Sequence, residues 1–282
     1  MNSVPSRPAR NLTRALLLIP LLLSCSICQQ LTATRVVSAT LIHTPKIKPP
    51  GLPQMNLELE ATTNLLVILG DLKSGLEGQP KPVSGAKVRL LFPGSPYGIS
   101  MTETKDAPGT FRLISEEDPR LTYLDDQEYR VEVDDGEDIH QLRVTLPKPS
   151  EKTGLKPDEI TEHAAKADLT LKHPNPEELA FVIVTRSPDP VCDQQEALNP
   201  KAETTYTNAP QDVDAVKDLL QNDGKWRTKE IVVPGAQAFP KCGYYLIVLT
   251  SMARGEALTS NLFIGSQFLA GKAEGAIYHV AK

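Results

Sequence analysis

The stretch EYRVEVDDGEDIHQLRVTL, residues 128–146, predicts a β-hairpin and with it the fold class. Apolar side chains alternate with charged or polar ones in both halves, the apolar set being Tyr129, Val131, Val133, Leu142, Val144 and Leu146. Alternation at period two is typical of strands with one buried and one solvated face. The Asp-Asp-Gly-Glu sequence at 134–137 between the halves is a turn signal.

Further strand-like segments lie on both sides of this hairpin. Residues 82–92 and 108–113 precede it, and 65–69 is apolar throughout, which predicts a strand in the middle of a sandwich. A second series follows at 167–171, 179–185, 226–233, 243–250 and 277–280. We therefore predict a mainly β protein with two β-sandwich domains in tandem, at 55–149 and 167–282, joined by a charged, polar linker at 150–166.

One helix is predicted inside the second domain. Asn208 is a suitable N-cap, Gln211 completes a capping box, and an apolar stripe runs to about Gly224 through Val213, Val216, Leu219 and Leu220. We expect this inserted helix to cover one sandwich edge; the alternative is that it presents its acidic side chains to a partner.

Two resemblances accompany these patterns. The sequences at 83–88 (VSGAKV), 109–111 (GTF) and 128–131 (EYRV) resemble the carboxypeptidase-regulatory-like or prealbumin-like sandwich. Phe239-Pro240 leading into GYYLIV at 243–248 resembles an immunoglobulin-like or fibronectin-type sandwich. One of Tyr244 and Tyr245 must face inward, since neighbouring strand side chains point oppositely. A buried tyrosine at such a corner usually has a structural role.

The first 24 residues have the layout of a secretory signal peptide. They carry arginines and no acidic residue, and the apolar block from Ala15 to Leu23 is too short to span a membrane. Leu22-Leu23-Ser24-Cys25 resembles the bacterial lipobox. That resemblance implies lipidation of Cys25 (diacylglyceryl and palmitate-like acyl chains), binding to the membrane through this lipid, and, since Ser26 follows, an outer membrane lipoprotein facing the periplasm or the surface. The alternative is an ordinary signal cleaved downstream, with Cys25 discarded.

Residues 25–54 are predicted to form the lipid anchor and a flexible tether. This segment is rich in Thr, Ser and Lys and ends with Pro45, Pro49, Pro50 and Pro53. The pairs Val36-Val37 and Leu41-Ile42 leave open a short strand that docks back on the body.

The cysteine pattern is consistent with a protein that is exported from the cytoplasm. Cys192 and Cys242 are expected to form a disulfide bond in an oxidising compartment, being too far apart in sequence for a CxxC motif. Cys28 is then the odd thiol.

The sequence predicts no enzymatic chemistry. The 282 residues carry a net charge of −5, from 30 basic and 35 acidic residues, which offers no broad cationic surface for nucleic acid. Known catalytic and phosphate-binding motifs are absent, and the five histidines are scattered over different elements, where solvated positions are expected. We predict no catalytic, cofactor-binding or metal-ligating residue and no cofactor.

We therefore expect a non-enzymatic, membrane-anchored lipoprotein that acts as a structural spacer or protein-interaction module in the bacterial envelope, with an envelope protein as partner. The alternative is a surface lipoprotein or adhesin that binds a ligand, either calcium or a glycan. Calcium would use the acidic turn of Asp134, Asp135, Glu137 and Asp138, and a glycan would stack on Trp226, which is otherwise expected in the core or at its rim.

Overall fold

The computed structural model describes residues 33–51, 57–73, 80–147, 153–173, 175–192, 201–211, 218–219, 223–263 and 265–281. The predicted signal peptide and the positions of Cys25 and Cys28 lie outside these ranges. The strands are β1 (Arg35–Thr44), β2 (Thr62–Asp71), β3 (Lys81–Pro82), β4 (Lys87–Phe92), β5 (Ser95–Ser100), β6 (Thr102–Glu103), β7 (Thr110–Ile114), β8 (Glu128–Asp134), β9 (Ile139–Thr145), β10 (Ile160–Glu162), β11 (Leu169–Lys172), β12 (Leu179–Ser187), β13 (Glu203–Thr207), β14 (Glu230–Val233), β15 (Gly243–Arg254), β16 (Glu256–Ala257) and β17 (Gln267–Val280). Helix α1 is Gly235–Ala238, and Asp223–Lys225 forms a 3₁₀ turn.

These strands form three sheets. The largest has ten strands in the order β13-β12-β15-β17-β1-β2-β7-β6, with β10 beside β17 and β3 beside β2. A five-stranded sheet has the order β16-β9-β8-β4-β5, and β11 pairs with β14. The predicted mainly β class is therefore confirmed.

The β1-β2-β7 side of the ten-stranded sheet packs on the five-stranded sheet. The predicted hairpin is β8 and β9, and its alternating apolar side chains all face this core. Phe111 of β7 and the β2 residues Leu65, Val67 and Leu69 meet them from the larger sheet. Tyr129 is fully buried and its hydroxyl donates to the Thr122 carbonyl oxygen at 2.7 Å, which fixes the chain that enters β8.

The β12-β15-β17 side of the ten-stranded sheet packs on the β11–β14 pair and on α1. Its core contains Val182, Ile247, Phe239 and Tyr245. Tyr245 is the buried member of the predicted tyrosine pair, and its hydroxyl donates to the Lys241 carbonyl oxygen at 2.6 Å. Each core thus contains a tyrosine that is tied to a neighbouring backbone carbonyl.

Strand β1 corrects the predicted tether of 25–54 at residues 35–44. It pairs antiparallel with β2 along its whole length and parallel with β17 from Ser38 to His43. Val36 to Leu41 are buried on both faces of the strand. The Ser, Thr and Pro content suggested a linker, but the β-branched and apolar residues suit a central strand. The docked strand that the sequence left open is the observed state.

Strand β17 joins the two ends of the molecule. Its first half pairs with β1, its last residues pair with β10, and β15 pairs with it along almost its full length. The predicted linker of 150–166 therefore contributes β10 to the same sheet. Glycines permit close packing on this strand: a Cβ at Gly275 would lie 2.3 Å from Ile47 Cδ1, and one at Gly271 would lie 2.5 Å from the Ser251 carbonyl oxygen. The two sandwiches share one continuous sheet.

Most of the predicted helix at 208–224 lies outside the described residues. Asp218 and Leu219 are helical, and Leu219 packs with Phe181 and Trp226 against the outer face of the sheet. Asn208, the predicted cap, instead accepts a hydrogen bond from the Val182 amide through its side chain.

Candidate functional site

Two groups of ionisable side chains lie near opposite ends of the strands in the ten-stranded sheet. The first, here called the Arg35 cluster, comprises Arg35, Asp71, Asp135, Glu137 and His140. Arg35 Nε donates to Asp135 Oδ2 at 2.6 Å, Nη1 to Asp71 Oδ2 at 2.7 Å and Nη2 to Glu137 Oε2 at 3.0 Å. One guanidinium therefore connects β1, the end of β2 and the turn between β8 and β9.

His140 completes the interior of this cluster. The ring is fully buried, with Nε2 3.3 Å from Asp135 Oδ2 and Nδ1 3.2 Å from Asn261 Oδ1. Burial alone would raise the pKa of Asp135, but hydrogen bonds from the Asp138 backbone, Arg35 and the Glu137 backbone hold it well below its usual value. Asp135 is therefore a buried carboxylate whose negative charge is stabilised from several sides.

This geometry argues against calcium at the acidic turn. Asp135 Oδ1 accepts from the amides of Glu137 at 3.0 Å and Asp138 at 2.8 Å, and Asp134 Oδ1 accepts from the Gly136 amide at 3.0 Å. A cation that took Asp135 Oδ2 would have to displace the Arg35 guanidinium from it. The turn fits a structural clamp between the sheets better than a cation site.

The second group, here called the His279 cluster, comprises Glu162, Asp189, Cys192, Cys242 and His279. His279 Nε2 lies 2.9 Å from Asp189 Oδ2, and Nδ1 lies 3.0 Å from Glu162 Oε1. Cys192 and Cys242 form a disulfide bond with a Cα–Cα distance of 6.1 Å, which confirms the predicted pair. The cluster assembles from β10, the segment after β12, the residue before β15 and the end of β17.

Asp189 occupies the centre of this cluster. It is buried, its Oδ1 accepts from the Val191 amide at 2.9 Å, and its Oδ2 lies 3.7 Å from Cys192 Sγ. The carboxylate and the two sulfur atoms all lie within 4.8 Å of one another. The turn amide therefore aims the second carboxylate oxygen at the imidazole and the sulfur.

The remaining contacts fix the orientation of the His279 ring. Tyr244 stacks on it with a centroid distance of 4.5 Å. Burial alone would lower the pKa of His279, but hydrogen bonds and charge from Glu162 and Asp189 raise it above its usual value. The protonated ring then bridges two carboxylates, from β10 and from the segment after β12.

The sequence predicted the disulfide but not the other members of the His279 cluster. Glu162, Asp189 and His279 are distant in the chain, and none has a local motif; the signal that could have found them is the predicted Cys192–Cys242 pair, which brings Asp189 near β15. Cys25 lies outside the described residues, so its lipidation stays a prediction.

Other predicted candidates are structural where the chain is described. Trp226 is buried, and its Nε1 donates to the Asn208 carbonyl oxygen at 2.8 Å, so its ring offers no platform for a sugar. His173 is buried between the Thr228 carbonyl oxygen and the Ser251 hydroxyl, and it corrects the expectation of a solvated histidine. Burial lowers the pKa of His173.

Comparisons with known proteins give little similarity. No protein-family model matches the chain. No curated protein matches it either. Among solved structures, the chicken CNTN1 FN1-FN3 domains are similar over 86% of this chain and 69% of that chain, at 9% identity and a TM-score of 0.25. The likeness of residues 83–131 to the carboxypeptidase-regulatory-like family stays a prediction. Within the described ranges, none of the helices has the length and apolar content needed to cross a membrane.

Proposed function

We propose that the protein is a non-enzymatic lipoprotein of the bacterial outer membrane, anchored through acyl chains on Cys25, whose rigid body serves as a spacer and protein-interaction module. The observation that carries this proposal is the position of β1. Only residues 26–34 separate Cys25 from Arg35, the first residue of a central strand. Ten residue steps span at most about 35 Å, so a lipid at Cys25 would hold the sheet close to the membrane.

The shared sheet supports a spacer role. From Gln267, which pairs with Ser38, to His279 the strand rises about 40 Å at about 3.3 Å per residue. With the lipid near Arg35, the Arg35 cluster would face the membrane and the His279 cluster would lie at the far end. A body with one continuous sheet resists bending between its two sandwiches, because bending would strain both cores at once.

The far end also offers a surface for a partner. Val191, beside the disulfide, is 88% exposed and so is accessible to a partner. The partner protein of the envelope would contact this end, while the membrane holds the other.

The anchor can be tested by the intact mass of the mature chain extracted from membranes, with Cys25→Ala as the control. We expect the wild-type chain to begin at Cys25 and to carry the mass of a diacylglyceryl group and an additional acyl chain. The variant should lack this mass and leave the membrane fraction. A wild-type chain that begins downstream of Cys25 would overturn the proposed anchor.

The interaction role can be tested by photo-crosslinking in intact envelopes. A crosslinker at Val191 should give a reproducible protein adduct, and one at the exposed Tyr97 of β5, in the other sandwich, serves as the matched control. The absence of any reproducible adduct from Val191 would contradict the proposed role of the far end.

A further inference from the structure

The His279 cluster brings together four side chains of the types that bind zinc. Two cysteine sulfurs, one carboxylate and one imidazole are the usual ligands of Zn²⁺ in proteins, and structural zinc sites hold four of them in a tetrahedron. Asp189, Cys192 and Cys242 already place their ligand atoms within 4.8 Å of one another. His279 Nε2 lies 2.9 Å from the Asp189 carboxylate. In the present state the two sulfurs are joined to each other.

From this arrangement we propose that the reduced form of the Cys192–Cys242 pair binds one Zn²⁺ ion through Cys192, Cys242, Asp189 and His279. The site and the disulfide are then alternative states of the same two sulfurs. This inference stands apart from the proposed anchor and does not depend on Cys25.

Side-chain movements would bring the four ligand atoms to the spacing of a tetrahedral ion. With Zn–S bonds of about 2.3 Å and Zn–N or Zn–O bonds of about 2.0 Å, two sulfur ligands lie about 3.8 Å apart and a sulfur and an oxygen about 3.5 Å apart. The Asp189 Oδ2 to Cys192 Sγ distance is already 3.7 Å. Breaking the S–S bond lets the sulfurs separate. His279 is not among the three residues whose ligand atoms already lie within 4.8 Å of one another, so its imidazole must also move toward the sulfurs by about 1 Å or more. The Cα–Cα distance of 6.1 Å leaves room for an ion between the two cysteines.

Neighbouring groups form hydrogen bonds that would orient the proposed ligands. Glu162 Oε1 lies 3.0 Å from His279 Nδ1, so it can accept a hydrogen bond from Nδ1–H and aim Nε2 at the metal. The Val191 amide holds the free oxygen of Asp189. Arg186, which is buried, donates to the Cys242 carbonyl oxygen through Nε at 3.1 Å and Nη2 at 2.8 Å. Its positive charge favours thiolate at the neighbouring cysteine.

The chemistry balances with a dithiol as the reductant. The dithiol supplies two electrons and two protons, the Cys192–Cys242 bond breaks, two thiols form, and the dithiol becomes a disulfide. Zn²⁺ then replaces the two thiol protons, and any proton on His279 Nε2, which all pass to solvent. Two thiolates and one carboxylate leave the bound site with one net negative charge, which Arg186 faces.

The test uses the full chain with Cys25→Ser and Cys28→Ser, so that Cys192 and Cys242 are its only thiols. The disulfide is reduced without oxygen, Co²⁺ is titrated as a coloured probe, and Zn²⁺ is added in competition. We expect one equivalent of Co²⁺ with thiolate-to-cobalt charge-transfer absorption in the reduced chain and none in the oxidised chain. Zn²⁺ should displace it.

Matched variants separate this site from two thiols acting alone. Asp189→Asn with His279→Gln should weaken binding by about 100-fold or more, and Glu162→Gln by about tenfold through its hold on the imidazole. If reduction destabilises the chain, Zn²⁺ should raise the unfolding midpoint of the reduced protein, because binding to the folded state alone stabilises it. Unchanged affinity in the double variant, or neither Co²⁺ absorption nor a Zn²⁺-dependent midpoint, would overturn the proposal.

Discussion

The Arg35 and His279 clusters both pair a histidine with a buried aspartate, but the two pairs differ in their neighbours and in their exposure to solvent. Asp135 meets His140 beside a guanidinium that is only 16% exposed, and the ring has no access to solvent. Asp189 meets His279 beside a disulfide and beside Glu162, whose side chain is 71% exposed. The comparison shows that the same pair is closed off from solvent when an arginine covers it, and stays partly exposed when the arginine is absent.

The difference follows from the elements that meet at each place. The Arg35 cluster lies where β1 and β2 meet the β8–β9 turn of the facing sheet, so its charges cross the interior between two sheets. The His279 cluster lies at strand ends, where loops replace a covering sheet. We therefore expect charge removal to affect mainly the first cluster, and redox state and pH to affect mainly the second.

The largest expected effect is loss of the disulfide. Cys192→Ser with Cys242→Ser removes a cross-link that spans a sequence separation of 50 and should lower the free energy of unfolding by about 4 kcal/mol in urea titrations. Reduction of the wild type should give a similar loss, and reductant should have no effect on the variant. A loss below about 1 kcal/mol would show that other contacts already hold this end together.

Removal of the Arg35 charge should come next. Arg35→Met leaves Asp135 buried without its main cation, and we expect a loss of about 3 kcal/mol in the same titrations. Arg89→Met is the matched control, because Arg89 pairs with Glu132 on the surface and is 50% exposed; its loss should stay below about 1 kcal/mol. Equal losses in the two variants would contradict the clamp.

The third prediction concerns pH. The pKa of His279 is raised in the folded state by Glu162 and Asp189, so its contribution is fully present below the unfolded pKa and is lost as pH rises through the folded pKa. His279→Gln should therefore cost about 1 kcal/mol in acid and little in alkali, measured as unfolding free energy at several pH values. Tyr244, which stacks on the ring, stays neutral over this range because burial raises its pKa. A cost that is independent of pH would contradict the ion-pair assignment.

The smallest effect should come from Glu162→Gln. The carboxylate is exposed, so its pairing with His279 should add only a few tenths of a kcal/mol to stability. Asp189→Asn, on the buried side of the same ring, should cost more. Reversal of this order in urea titrations at acidic pH would show that β10 rather than Asp189 holds the imidazole.

The strands with one buried and one solvent-exposed face were predicted well from the sequence. The hairpin of residues 128–146 alternates cleanly, because one face packs on the core and the other meets solvent. The opposite directions of neighbouring strand side chains predicted that one of Tyr244 and Tyr245 is buried, and the structure buries Tyr245.

The strands that join the molecule were harder to predict. β1 is buried on both faces, so it has no alternation to find, and its Ser and Thr residues resemble a linker. β17 is interrupted by Gly271 and Gly275, which have low strand propensity but admit the close approach of Ser251 and Ile47. Only its last residues, 277–280, were predicted. Likewise, Asp189 and His279 meet through pairings among distant strands, which a single sequence does not specify.

The parallel pairing of β1 with β17 has a consequence for synthesis of the chain. The partner of residues 38–43 is made more than 220 positions later, at 267–272. Until that last strand emerges, β1 presents an unpaired edge with apolar faces, which invites association with other chains. The sheet can therefore be completed only late and slowly. Until β17 has been synthesised, the nascent chain is prone to aggregate with other chains.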